Sequence, residues 1–226
     1  MNQKLRAAAR PHSASRLFGK DRNRLHGRHP SRRCRTSMVA LAVAMLVLAS
    51  CDTDNMYPTA RASWTCAGGE PGAALFCQTD NSTFTYGLTS GTASDHATIV
   101  KVMGEDFAPT DLVVSRESPV VYTGSAETDV VFQVGAWVPS TAVGLTWCDN
   151  AVSSVRCDQH YARIRSGYVN RGVVCHEAGH SVGLVHGDSA EPPVGGQEPI
   201  LECMRKAPGS LDRLGGHNRR MIDATY

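Results

Sequence analysis

The sequence predicts an α+β domain, in which a mixed twisted sheet carries one long histidine-bearing helix and a short helix closes the C-terminus. Three observations lead there. About 175 residues follow Cys51, enough for one compact domain. Short β-branched runs are spaced through the middle of the chain. A capped segment with histidines at helical spacing follows them.

Taken in order, residues 52–64 contain Pro58 and few bulky apolar side chains, which predicts a tether ahead of a domain spanning 65–226. Asp95 to Gly104 places Ile99, Val100 and Met103 at helical spacing, with Ser94 or Asp95 as the expected cap and core packing as its role. Leu112-Val113-Val114-Ser115 and Asp129 to Val134 are β-branched runs, and Tyr161 to Arg165 alternates with period two; these are the expected strands. The long helix should start after Asn170, whose side chain can cap it, and end at Gly183. Gly and Pro make 187–200 a loop, and Leu214 to Tyr226 fits a short closing helix.

Starting in the long helix and running past its end, His176-Glu177-Ala178-Gly179-His180-Ser181-Val182-Gly183-Leu184-Val185-His186 reads H-E-x-x-H-x-x-G-x-x-H. Positions i and i+4 share a helix face, so His176 and His180 can offer two imidazoles to one metal ion. Gly183 can take the left-handed conformation that ends a helix, letting the returning chain bring His186 as a third ligand. Three histidines on Zn²⁺ leave a fourth position for water, the open geometry of catalytic sites. Glu177, beside the first ligand, stands where a general base for that water belongs. The bland alternatives are surface histidines on an amphipathic helix, or a purely structural zinc. His96, His160 and His217 lie outside the motif and are read as structural or surface residues, with a substrate-side contact the minority reading for His160.

The stretch from Val174 to Gly187 resembles the zinc signature of the metzincin metallopeptidases. Glu202-Cys203-Met204-Arg205 is similar to the Met-turn that these enzymes carry beneath the metal, with Met204 as its methionine. The likeness covers chiefly Asp129 to Met204 and is closest to small secreted bacterial enzymes of the matrixin-like type. It implies a metzincin-like zincin domain. The residue after the third histidine, which separates the subfamilies, is Gly187, so the subfamily is left open, and no tyrosine closely follows Met204.

Residues 38–49 form an apolar run preceded by Arg32, Arg33 and Arg35, the layout of a secretory signal, and are too short for a comfortable membrane span. The run closes on Leu48-Ala49-Ser50-Cys51, which resembles a bacterial lipobox; Cys51 would then be the lipidated first residue after a leader of residues 1–50. An ordinary signal peptide cut near Ser50 is the alternative. Residues 1–37 hold 11 of the 23 Lys+Arg and one of the 21 Asp+Glu, so the remainder has 12 basic and 20 acidic side chains, a net charge of −8. That acidity excludes nucleic acid as a partner.

Six cysteines lie beyond Cys51, an even number that in an exported chain reads as a disulfide framework with fifteen formal pairings. Local spacing favours Cys66–Cys77 and Cys148–Cys157. Cys175 and Cys203 directly precede His176 and Met204, so a Met-turn beneath the metal would bring them together as a third bridge. Cys175 as a metal ligand competes poorly, because adjacent helical residues point about 100° apart.

The expected function is zinc-dependent endopeptidase action on a peptide or protein by an exported monomer, lipid-anchored to a membrane or secreted. The alternatives are a zinc-binding envelope lipoprotein without significant turnover and a zinc hydrolase of cell-wall peptides or amides.

Overall fold

Val130–Val134 is an apolar run without strict alternation, the pattern of a strand covered on both faces. In the computed structural model, which describes residues 52–69, 76–124 and 126–226, this strand (β4) lies inside a six-stranded sheet. The strands in chain order are β1 (Gln78–Thr79), β2 (Thr83–Ser90), β3 (Val113–Arg116), β4, β5 (Gly144–Ala151) and β6 (Arg156–Ile164). Pairing runs β1-β6-β4-β2-β3, all parallel, while β5 pairs antiparallel with β6 in the register Gly144↔Ile164 and Thr146↔Ala162. The sheet is mixed, as the α+β expectation had it, but more parallel than that class implies, because a helical crossover separates β2 from β3 and lets them align.

That crossover begins with α1 (Ala93–Val102). Its cap is Thr92, not Ser94 or Asp95: the Thr92 hydroxyl accepts from the Asp95 N–H and the Asp95 carboxylate accepts from the Thr92 N–H, a reciprocal capping box. One π-type turn, Met103–Phe107, extends it. The second helix, α2 (Arg171–Ser181), starts where Asn170 Oδ1 accepts from Val173 N at 3.1 Å. Arg171, in the first turn of α2, reaches the buried Asp106 at 2.8 Å and Glu105 at 2.6 Å, tying α2 to that π turn. A buried carboxylate with a charged partner of this kind holds elements in register even where its net stability is small. The last helix, α3, spans Gly216–Asp223.

The main core lies between sheet and helices, where Phe84, Phe132, Ile164, Ile99, Val174 and Ala178 meet. Among the described residues no helix is long and apolar enough to cross a membrane. The leader, the apolar run 38–49 and Cys51 lie outside the described residues.

Residues 52–64 are the clearest departure from expectation. Instead of a tether, they form a strap on the body of the domain, with Thr53, Asn55, Tyr57 and Ala62 buried. Asp54 exchanges two main-chain hydrogen bonds with Glu191, Tyr57 N donates to Gly183 O, and Val185 N donates to Asn55 O, each at 2.8 Å. Main-chain and polar groups stitch the strap, and its apolar contacts come from a few residues, Met56 in the main core and Tyr57 and Ala62 beside Val185, which form no periodic pattern in the sequence.

Candidate metal centre

Helix α2 carries His176 and His180 one turn apart, and it stops where Gly183 takes φ +95, a conformation that a residue without Cβ adopts at little cost. Leu184 to His186 then turn back beneath the strap. As a result, His180 Nε2 and His186 Nε2 lie 3.0 and 3.1 Å from His176 Nε2. Four-coordinate zinc with Zn–N bonds of about 2.0–2.1 Å separates its nitrogens by roughly 3.3–3.4 Å, so the cluster is within a few tenths of an ångström of that geometry.

The other ring nitrogens explain why this cluster fits a metal ion. His176 Nδ1 lies 2.8 Å from the Cys203 carbonyl and His180 Nδ1 lies 2.7 Å from the Leu184 carbonyl. A carbonyl only accepts, so each Nδ1 carries the proton and each Nε2 presents a lone pair. Lone pairs facing one another at 3 Å repel unless a cation lies between them, and protons are poor candidates. Burial first, then the neighbouring imidazoles, pushes His176 down to about 4 and His180 well below the usual histidine range; burial also lowers His186. Three neighbouring imidazoles are a donor set that zinc takes, and the carbonyl partners of His176 and His180 are the outer contacts that such ligands use. These three residues can therefore hold a metal ion.

Two supports lie around the histidines. Cys175 and Cys203 are joined by a disulfide, which pins α2 to the short helical turn Pro199–Met204 and so sets the Cys203 carbonyl under His176. Glu202, in that turn, adopts φ 52 and ψ −119, a conformation that costs a non-glycine residue on the order of 1–3 kcal/mol. Burial raises the Glu202 carboxyl above the usual range, opposed by main-chain N–H groups at Gly215 and Gly216, the start of α3. Met204 is buried against α2 at Gly179. On the opposite side Phe76 stacks flat on His180, with centroids 3.7 Å apart and planes 5° apart. Spacing on one helix could not reveal Phe76, which lies a hundred residues away in sequence.

Glu177 is buried beside the cluster and lines the same cleft as the three histidines, a cavity of about 550 Å³ walled by Val143, Leu145, Tyr168, Val173 and Pro208. Burial pushes its carboxyl up to about 8, opposed by a hydrogen bond from the Thr146 hydroxyl to Oε2 at 2.7 Å. Thr146 was not singled out from sequence, because a lone threonine on a strand carries no signal.

The remaining expected site residues fall elsewhere. The structure contains the bridges Cys66–Cys77 and Cys148–Cys157, side by side at the far end of β5 and β6. His217 is buried on α3, where Nε2 lies 3.0 Å from Asn55 Oδ1 of the strap. His160 is buried in β6, and desolvation pushes it down to about 3. His96 lies on α1, away from the cluster, with Nε2 at 3.0 Å from the Ser90 carbonyl.

No protein-family model matches the chain, and no curated protein matches it. Among solved structures it is similar to myroilysin, with 17% identity and a TM-score of 0.30 over 59% of this chain. The chain spans 56% of the length of that protein.

Proposed function

We propose that the protein is an exported zinc-dependent endopeptidase of the metzincin type. One observation carries the reading: three histidine Nε2 atoms converge on the wall of a cleft that also holds the buried Glu177 carboxyl, from the helix that bears His176 and His180. His176, His180 and His186 would hold the ion. Zinc bound by three imidazoles supplies Lewis acidity toward a carbonyl oxygen and makes water a nucleophile near neutral pH.

The rest is the work of the chain. Glu177 accepts a proton from the attacking water and returns it to the leaving amine, so its carboxyl must cycle between both forms. The apolar cleft wall binds a substrate side chain and excludes bulk water from the proton transfer. The Cys175–Cys203 bridge and the Cys203 carbonyl keep His176 in its ligating tautomer. Three disulfides fit an oxidising compartment outside the cytoplasm, and a lipid on Cys51 is our reading of the leader.

The reading is tested by zinc content and casein cleavage of the purified protein beside its Glu177→Ala variant. We expect one zinc in each and a loss of turnover in the variant of at least about a hundredfold. Equal cleavage by both would remove Glu177 as the base.

A further inference from the structure

Strand β5 forms the wall facing Glu177, and two of its residues have no explanation in the sheet itself. Gly144 and Thr146 are two apart, so they point to the same face of the strand, toward α2. A Cβ on Gly144 would come within 2.0 Å of Glu177 Oε1, 2.5 Å of Cδ and 2.8 Å of Cγ. The missing side chain is therefore the space that the carboxylate occupies. Thr146, 1% exposed, places its hydroxyl 2.7 Å from Glu177 Oε2 and 3.1 Å from the Glu177 main-chain oxygen. With Glu177 ionised, the form a base needs, both are acceptors, so the hydroxyl proton is the donor, and its shorter contact is with the carboxylate.

We propose that Gly144 and Thr146 form a socket that fixes the Glu177 carboxylate for proton transfer, with Thr146 as a positioning residue. The inference rests on Glu177 being the base. A glutamate has three side-chain torsions to fix, and misplacing a reacting group by about an ångström can cost on the order of a hundredfold in rate. In the socket Oε2 is held by Thr146, while Oε1 lies beside the one β5 position that bears no side chain. An account in which Thr146 merely ties β5 to α2 needs only its contact with the Glu177 main chain, and it predicts no dependence on the carboxylate.

The test compares Thr146→Val, Thr146→Ser, Gly144→Ala and Glu177→Ala in the full protein, using a fluorogenic peptide built on a cleaved casein site. Thr146→Val should lower kcat about tenfold with KM within about twofold and one zinc retained, and Thr146→Ser should recover to within about threefold. Gly144→Ala should cost about a hundredfold in kcat. The atoms it displaces, Oε1, Cδ and Cγ, all belong to the Glu177 side chain, and retained zinc with an unchanged far-UV spectrum checks that the fold is kept. A second readout needs no turnover: in zinc-free protein Thr146→Val should lower Tm, and that effect should shrink in the Glu177→Ala background, where only the main-chain contact remains. Wild-type kcat in Thr146→Val, or a Tm loss that persists unchanged without Glu177, overturns the socket. Full turnover in Glu177→Ala overturns instead the assignment of the base, and the melting cycle decides the socket whatever the protein cleaves.

Discussion

Two clusters among the described residues bring metal-binding atoms within 4.8 Å of one another, His176, His180 and His186 in one and Cys66, Cys77 and Cys148 in the other. Their chemistry separates them. Each cysteine has a single sulfur, and in an oxidising compartment neighbouring sulfurs join: the Cys66–Cys77 and Cys148–Cys157 bridges lie so close that Cys66 Sγ is 3.7 Å from Cys148 Sγ, yet all four atoms are spent. An imidazole has two nitrogens. In the histidine cluster one is held by a carbonyl, for His176 and His180, so that the other is left facing its neighbours. Proximity of donor atoms therefore does not make a metal site; it takes donors that cannot react with one another and a second contact that aims them.

The largest expected effect is on the histidines. Replacing His180 with Ala should weaken zinc binding by more than about a hundredfold, since losing an outer contact alone costs about 10–100-fold. Retention of zinc through dialysis against a chelator measures it, and unchanged retention would break the comparison. Next come the disulfides. Exchange of Cys175 and Cys203 for Ser removes a bridge of sequence separation 28 and should cost about 3–4 kcal/mol of stability, together with about 10–100-fold in zinc affinity through His176. The same exchange at Cys148 and Cys157, separation 9, should cost about 3 kcal/mol and leave zinc affinity within about threefold. Denaturant melts and competition with a zinc dye read both, and equal zinc loss in the two pairs would merge regions that we hold distinct.

His160 sharpens the comparison further, being buried but outside both clusters. Desolvation pushes it down to about 3, whereas an unfolded histidine titrates near 6.5, so the unfolded state binds the extra proton and stability is lost as pH falls between those values. Asp129 has the opposite sign. Burial raises its carboxyl to about 6, the folded state keeps a proton that the unfolded chain releases near 4, and stability is lost as pH rises across that range. Asp129→Asn should therefore steepen the acid loss between about pH 4 and 6 by about 1.4 kcal/mol per pH unit. A series of melting curves that keeps the parent's slope would show that Asp129 carries no such linkage.

What was legible in sequence was local. Asn170 as cap, the i, i+4 histidines and the glycine before His186 all act within a few turns of one chain segment, so spacing alone exposes them. The strands at 113–116 and 130–134 were visible as β-branched runs, whereas β5 was not singled out, with Gly144 and polar Thr146 breaking its apolar pattern. The strap was hidden because Asn55 and Thr53 are buried by hydrogen bonding: Asn55 Nδ2 donates to Asn218 Oδ1 at 3.0 Å, and Thr53 Oγ1 to Pro192 O at 2.5 Å. Thr92 lost out to Ser94 and Asp95 as the expected cap because all three residues are good caps, and only the reciprocal bond with Asp95 distinguishes them. Phe76 on His180 and Thr146 on Glu177 join residues far apart in sequence, which a single chain does not reveal.

X-ray absorption at the zinc edge of the purified protein tests the central claim most directly. The account predicts one zinc per chain with a shell of nitrogen and oxygen at about 2.0–2.1 Å and the multiple scattering of three imidazoles. A sulfur shell at about 2.3 Å would assign the metal to the cysteine cluster, and a protein that takes up no zinc would contradict the histidine centre itself.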